Sequence, residues 1–271
     1  MEVASKEIEE NAKKEKVLET KSKAIMLFGT GLVVAMPGVV ASIIVPTLNE
    51  EDFIIDTLSS LVDQTVSRSM YEIIVSDSSS TDRTVEFAKE LSDQVIVCKR
   101  HSAGFGRNFG ANKAKGDYLG FVDADTIVSP TWVEGLVESL NKGYAMCSGP
   151  IDNIEKDSLK INLFFKWWNL QTWASVAIKK PIFPGFNFGI KRQVFDYVGG
   201  FTQENIVSED IDLSLRIANF GEAVFNRKMA VWTSDRRQRQ IPIAKQIKNG
   251  VNYFFNKKSL TWNEYRPDFD K

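Results

Sequence analysis

The sequence predicts an α/β fold, a largely parallel β-sheet with helices on both faces. Two observations carry this. From residue 42 onward, short apolar runs alternate with longer segments whose apolar residues recur at helical spacing, as in strands joined by crossover helices. The runs also end abruptly in polar residues, several of them acids, and parallel sheets bind ligands beyond the carboxyl ends of their strands.

The elements follow in order. ASIIVPT (41–47) reads as a buried strand. NEEDFIIDTLSSLVDQT (49–65) predicts a helix, with Phe53, Ile54, Leu58, Leu61 and Val62 on one face. Asn49 suits the N-cap, and Glu50, Glu51 and Asp52 suit a first turn whose dipole favours anions. YEIIVSD (71–77) is a second strand, TDRTVEFAKELSD (81–93) a helix and QVIVCKR (94–100) a third strand. GRNFGANKAKG (106–116) is helical and DYLGFVD (117–123) is a fourth strand. Thr47, Asn49 and Glu50, then Asp77, then Asp123 and Asp125 sit just past three strand ends and so face one shared crevice.

Composition excludes several functions. The chain has 271 residues, 43% hydrophobic and 25% charged, enough for one large domain with extensions. Thirty-four Lys and Arg face 35 Asp and Glu, which gives no basic excess for nucleic acid. With two cysteines and the single His101, any metal would be a hard cation held by carboxylates. Residues 1–23 are rich in Glu and Lys, and residues 24–41 carry no charge. That apolar stretch is near the length of a bilayer span, but glycines and Pro37 interrupt it.

Four constellations bear on chemistry. Asp123 and Asp125 repel each other unless a cation lies between them, and Mg²⁺ or Mn²⁺ commonly uses one or two carboxylates plus water and phosphate oxygens. The alternative is one turn-capping and one solvated aspartate. IVSEDIDLSLRIANFG (206–221) predicts a helix capped by Ser208 and stopped by Gly221. Its first turn holds Glu209, Asp210 and Asp212. Dipole compensation explains one or two of these, and a general base explains another. PGFNFGIKRQVFDYVGGF (184–201) reads as glycine-bearing turns, where backbone can approach a ligand closely. INLFFKWWNLQTWASVAIKK (161–180) and IPIAKQIKNGVNYFFNKK (241–258) mix aromatics with lysines. Packing explains such helices, and so does a membrane interface.

Together these segments resemble the family 2 glycosyltransferases, from about residue 40 to 235. SIIVPTLNEEDFIIDTLSSLVDQT is similar to that family's first strand and helix, and YEIIVSDSSSTDRT to its nucleotide-binding turn. GRNFGANKAKGDYLGFVDAD resembles its Arg-Asn helix and D-x-D strand, and VGGFTQENIVSEDIDLSLRIANFG its acceptor-side segment. The resemblance implies a Rossmann-like GT-A fold with an N-terminal apolar extension and a C-terminal helical segment. It divides the chain into an extension (1–41), a nucleotide-sugar-binding half (42–150), an acceptor-binding half (151–240) and a tail (241–271).

The resemblance also implies roles. Pro46, Thr47, Asn49, Glu50, Asp77, Arg107 and Asp123 would bind a nucleotide-diphospho-sugar. Asp125, with Asp123 and Asp235, would hold Mg²⁺ or Mn²⁺. Asp210, beside Glu209, would take the acceptor's proton in an inverting transfer. The expected acceptor is a lipid-linked or cell-surface glycan precursor, met in the cytoplasm at the membrane face.

The chain departs from the family pattern in places. Ser78-Ser79 replaces an Asp-Gly pair after Asp77, and Thr233 stands near a metal-binding histidine position. Ile127 fills the Gln position of polyprenyl-phosphate sugar synthases, and no Q-x-x-R-W is present, so single additions are expected. Arg236, Arg237 and Arg239 could hold the diphosphate or an anionic acceptor. Competing readings are nucleotidyl transfer and a degenerate relative that binds sugar nucleotides without turnover.

Overall fold

The computed structural model of the chain describes residues 38–99, 102–202 and 207–256. Most of the apolar extension, His101 and residues 257–271 lie outside the described residues. The fold is that of the compact unit Val39–Lys271.

Ten strands and nine α-helices are described. In chain order they are β1 (Ala41–Thr47), α1 (Ile54–Val62), β2 (Tyr71–Asp77), α2 (Thr84–Leu91), β3 (Gln94–Val97), α3 (Ala103–Ala111), β4 (Tyr118–Phe121) and β5 (Thr126–Val128). There follow α4 (Trp132–Asn141), β6 (Met146–Ser148), β7 (Ile151–Asn153), α5 (Leu159–Ala177), β8 (Phe188–Lys191), α6 (Arg192–Tyr197) and α7 (Glu209–Ile217). The last are β9 (Ala223–Phe225), β10 (Val231–Thr233), α8 (Arg236–Gln240) and α9 (Ile243–Asn256).

The main sheet has seven strands in the order β3-β2-β1-β4-β8-β6-β9. Every pairing is parallel except the two that β8 makes, with β4 and with β6. The halves divided at residue 150 therefore share one sheet. β1 and β2 are buried along nearly their whole length because both faces are covered. A second sheet, β5-β10-β7, sits after the end of β4.

Register positions the strand ends. Thr47 lies beside Asp77, and the Val122 N–H beyond β4 still donates to the Ile44 carbonyl at 3.1 Å. The chain thus reaches Asp123 and Asp125 next to the ends of β1 and β2. Behind them lies an aromatic core of Phe121, Phe188, Phe195 and Phe201, all buried. Phe121 meets Phe201 edge to face, centroids 5.2 Å apart, a favoured geometry for aromatic quadrupoles. Trp132 is fully buried and donates its indole N–H to Asn187 Oδ1 at 2.9 Å.

Several helix boundaries differ from those expected, and two expected caps, Asn49 and Ser208, are taken by distant partners. The first helix starts at Ile54, not after Asn49. Asn49 instead takes a left-handed φ of 53° and accepts from the Thr81 N–H at 2.9 Å. Helix α3 starts earlier than expected, at Ala103, because the Ser102 hydroxyl accepts from the Phe105 N–H. Ser208 precedes α7, but its hydroxyl accepts from Asn249 Nδ2 at 2.9 Å rather than capping. That helix ends at Ile217, before Gly221.

Helix α3 lies unusually close to β1. A Cβ on Gly110 would stand 2.5 Å from Ile44 Cγ2, inside van der Waals contact. Gly110→Ala should therefore lower unfolding free energy by about 1–3 kcal/mol through overpacking, read from urea midpoints. An unchanged midpoint would mean that α3 does not need this approach.

Candidate active site

Arg107 is the innermost charge of the crevice. It projects from α3 with a side chain 4% exposed, and its NH2 donates to Asp123 Oδ1 at 2.7 Å. Its NH1 donates to Glu209 Oε1 at 3.2 Å. One guanidinium thus joins the acid after β4 to the acid that opens α7. Gly185 leaves room for it, since a Cβ there would lie 2.8 Å from the guanidinium carbon. The guanidinium also stands over the Phe201 ring at 5.3 Å, a cation–π contact. Among the described residues, Arg107 Nε and Glu209 Oε2 have no hydrogen-bond partner.

Arg236, at the start of α8, makes a second bridge. Its NH2 donates to both oxygens of Glu50, at 2.5 and 2.7 Å. Its Nε donates to Asp125 Oδ2 at 3.0 Å. The small sheet holds it there: the Ser234 N–H, just past β10, donates to the Asp125 carbonyl at 3.1 Å. Burial pushes the Glu50 carboxyl up to about 7 despite Arg236. Burial raises Asp125 as well, and the nearby Asp123 charge adds to it while Arg236 opposes it.

Asp210 is held by backbone. Its Oδ2 accepts from the Gly185 N–H at 3.0 Å and its Oδ1 from the Ile211 N–H at 2.8 Å. Burial raises its pKa, against Arg107 and these two N–H groups. Burial also raises Glu209, with the Asp210 charge adding and Arg107 opposing. The glycine turn at 184–201 therefore approaches a guanidinium and a carboxylate of the chain itself.

The remaining expected residues are placed as follows. Thr47 Oγ1 donates to Asp77 Oδ1 at 3.0 Å, and the Ser80 N–H donates to Asp77 Oδ2 at 2.9 Å. Asp77 is fully buried and builds the turn after β2. Pro46 packs against α3 where Gly106 leaves space for it. Asn49 is exposed and staples the loops after β1 and β2. The Asp235 carboxylate is held by other partners: Oδ2 accepts from Asn153 at 3.1 Å, and Arg239 binds both oxygens. Thr233 donates nothing to the Asp123–Asp125 pair and instead accepts from Thr126 Oγ1 at 2.9 Å. Among the described residues, no group of three or more His, Cys, Asp or Glu is arranged to hold a metal. Asp123 and Asp125 supply hard oxygen donors, which fits a Mg²⁺- or Mn²⁺-type ion whose other positions are water and phosphate.

Sequence reasoning missed the Arg107–Glu209 bond, the Arg236 bridge and the Gly185 N–H. The glycine was a visible signal, but its partner was not. The two partners of Arg107 lie 16 and 102 residues away.

Comparison with known proteins bears on this geometry. The glycosyl transferase family 2 profile matches residues 42–199. The probable glycosyltransferase YdaM of Bacillus subtilis is 28% identical over 197 residues, covering 66% of this chain and 47% of YdaM. The chain spans about half the length of the curated relatives it matches. The mannosyltransferase PcManGT from Pyrobaculum calidifontis, in complex with GDP-Man and Mn²⁺, is similar with a TM-score of 0.65 at 19% identity, over 92% of this chain and 72% of that one. S. aureus TarS in complex with UDP-GlcNAc is similar with a TM-score of 0.59 at 18% identity, over 73% of this chain and 59% of that one. At such identities the shared property is the GT-A fold, a mostly parallel central sheet. The profile match ends before α7, so Glu209 and Asp210 lie outside it. A match running from β1 through α6 covers more than half of the sequence, and on that ground the chain belongs to the family 2 glycosyltransferases.

Proposed function

We propose that the chain is an inverting glycosyltransferase that moves a sugar from a nucleotide-diphospho-sugar to an acceptor hydroxyl. The observation that carries this is the Arg107 bridge, which fixes the acids after β4 and those opening α7 in one crevice. Complexes of the fold relatives with GDP-Man and UDP-GlcNAc support the donor class.

Asp123 and Asp125 would hold Mg²⁺ or Mn²⁺, which when bound neutralises charge growing on the diphosphate leaving group. Arg107 keeps Asp123 oriented. Arg236 is 39% exposed and can turn from Glu50 toward diphosphate oxygens, which a guanidinium grips bidentately. Asp210 takes the proton of the attacking hydroxyl; two N–H bonds fix its direction, and burial brings its basicity closer to neutral pH. The hydroxyl oxygen bonds to the anomeric carbon as the bond to the diphosphate breaks, and attack from the opposite face inverts that carbon. The acceptor is a lipid-linked or cell-surface glycan precursor on the cytoplasmic membrane face, extended by one sugar at a time.

Nucleotidyl transfer fits less well, because it needs a loop after β1 free to grip phosphate. Here the Asn49, Glu50 and Glu51 N–H groups donate to Ser80, Thr84 and Asp82. A degenerate relative would bind the sugar nucleotide without hydrolysing it in Mn²⁺.

Three outcomes test this reading. Asp125→Ala, or EDTA with the unaltered protein, should abolish transfer; full turnover in EDTA would remove the metal. Asp210→Asn should keep donor-induced thermal stabilisation while kcat falls about 10²–10⁴-fold. The unaltered enzyme should lose kcat/KM, as pH falls, at a pKa above the ordinary aspartate value of 3.8. A near-normal kcat in the variant would dismiss Asp210 as base. Finally, protons on Glu50 and Asp125 compete with a cation. Calorimetric Mn²⁺ affinity should rise as pH approaches about 7 and then level; a pH-independent affinity would place the ion elsewhere.

A further inference from the structure

Helix α5 is apolar on both sides. Its inner side buries Ile161, Phe164 and Phe165 against the domain. Its outer side exposes Leu159, Leu163, Trp167, Leu170 and Trp173, with Ile178 at the C-cap. Those six are among only fourteen exposed large apolar side chains in the described residues. Spaced three or four apart, the first five form one stripe along a helix about 28 Å long. Past the helix end, Lys180 Nζ stands 5.8 Å from the Phe254 ring, which brings α9 alongside. Val251 and Phe255 of α9 are exposed beside Lys248.

The charges carried by α5 itself and by the residues just past its end have one sign. Lys160, Lys166, Lys179 and Lys180 are exposed, and no Asp or Glu occurs between Asp157 and Asp196. Lys179 reaches Glu222 at 3.5 Å, but both ends are largely exposed, which makes a weak pair. A second copy of the chain in a two-fold interface would set lysine against lysine. The apolar residues 24–35 carry no acid to answer the lysines either. Tryptophan and lysine beside leucine are what the interface of an anionic bilayer accepts. Among the described residues, no helix is long and apolar enough to cross a membrane.

We propose that the outer face of α5, continued by α9, docks in the plane of an anionic lipid surface. The inner side of the same helix touches the site: Trp168 meets Phe186 edge to face at 5.7 Å. Phe186 follows Gly185, whose N–H holds Asp210. Docking therefore brings to the bilayer the helix that packs on the Asp210 side of the crevice. On the glycosyl-transfer reading above, docking keeps Asp210 near a surface that holds lipid-anchored hydroxyls.

The test is flotation of the full chain with vesicles of neutral lipid, or of neutral lipid with phosphatidylglycerol, at low and high salt. Donor hydrolysis in Mn²⁺ is followed in the same samples. The unaltered chain should float with anionic vesicles and less at high salt. A Leu170→Glu/Trp173→Glu variant should lose binding by at least about tenfold. Replacing Lys160, Lys166, Lys179 and Lys180 by Gln should erase the preference for anionic lipid. Both variants should retain donor hydrolysis, which shows that they fold. Binding unchanged in both would overturn the proposal and move the anchor elsewhere in the chain. So would no binding by the unaltered chain, or a dimer that the Glu variant dissociates. Hydrolysis absent throughout, with binding lost as expected, would reject the glycosyl-transfer reading and leave the docking surface standing.

Discussion

The crevice depends on one buried cation. Arg107 has almost no solvent to lean on, so its charge is stabilised by Asp123, Glu209 and the face of Phe201. Ion pairs of this kind add little net stability, yet removing one partner leaves the others uncompensated, at a cost of about 3–5 kcal/mol. The surrounding backbone is shaped to the same end. Gly185 would strike the guanidinium if it carried a side chain, and a Cβ on Gly104 would stand 3.1 Å from the Glu209 side chain. Helix α3, the 183–187 loop and the head of α7 therefore cannot shift independently. Asp210 inherits its position from two of the three, because Gly185 donates to it and it lies one residue after Glu209.

Arg236 has the opposite character. It is more than a third exposed, sits on a five-residue helix and holds two acids whose charged forms burial disfavours. Exposed pairs are weak and exchange readily. A buried arginine held by two carboxylates sets the geometry, while a more exposed one is less constrained in its partners. The distinction follows from burial, since both residues are arginines with two carboxylate partners.

Much of the fold was legible because parallel strands are written locally: the runs at 41–47 and 71–77 are strands at those same limits. The ends of helices were less legible. Asn49 and Ser208 have the chemistry of caps, but partners 32 and 41 residues away take their side chains. The acids of the crevice were visible as polar residues after strand ends. Their pairing was not, because Arg107 and Glu209 are 102 residues apart and Arg236 and Glu50 are 186 apart. Asp235 shows the same limit in reverse. It has the right residue type near the right place, but Arg239, one helical turn on, takes its carboxylate. Helix α5 was recognisable as over-apolar, yet only its packing separates the face that serves the core from the face that does not.

The electrostatics of the crevice give these pieces a common logic. Glu50, Asp123, Asp125, Glu209 and Asp210 crowd around two bridging guanidinium groups. That excess of negative charge is tolerated without ligand because burial favours the protonated forms of Glu50, Asp125, Glu209 and Asp210. A diphosphate entering alone would add charge of the same sign to a low-dielectric site, where repulsion is least screened. A divalent cation entering with it reverses the balance, since it favours the ionised acids and attracts the phosphate oxygens together. Burial and a bound ion would therefore pull these acids in opposite directions. On the proposed reading, the acids that burial makes costly to ionise would make the crevice selective for an anion that brings its own cation.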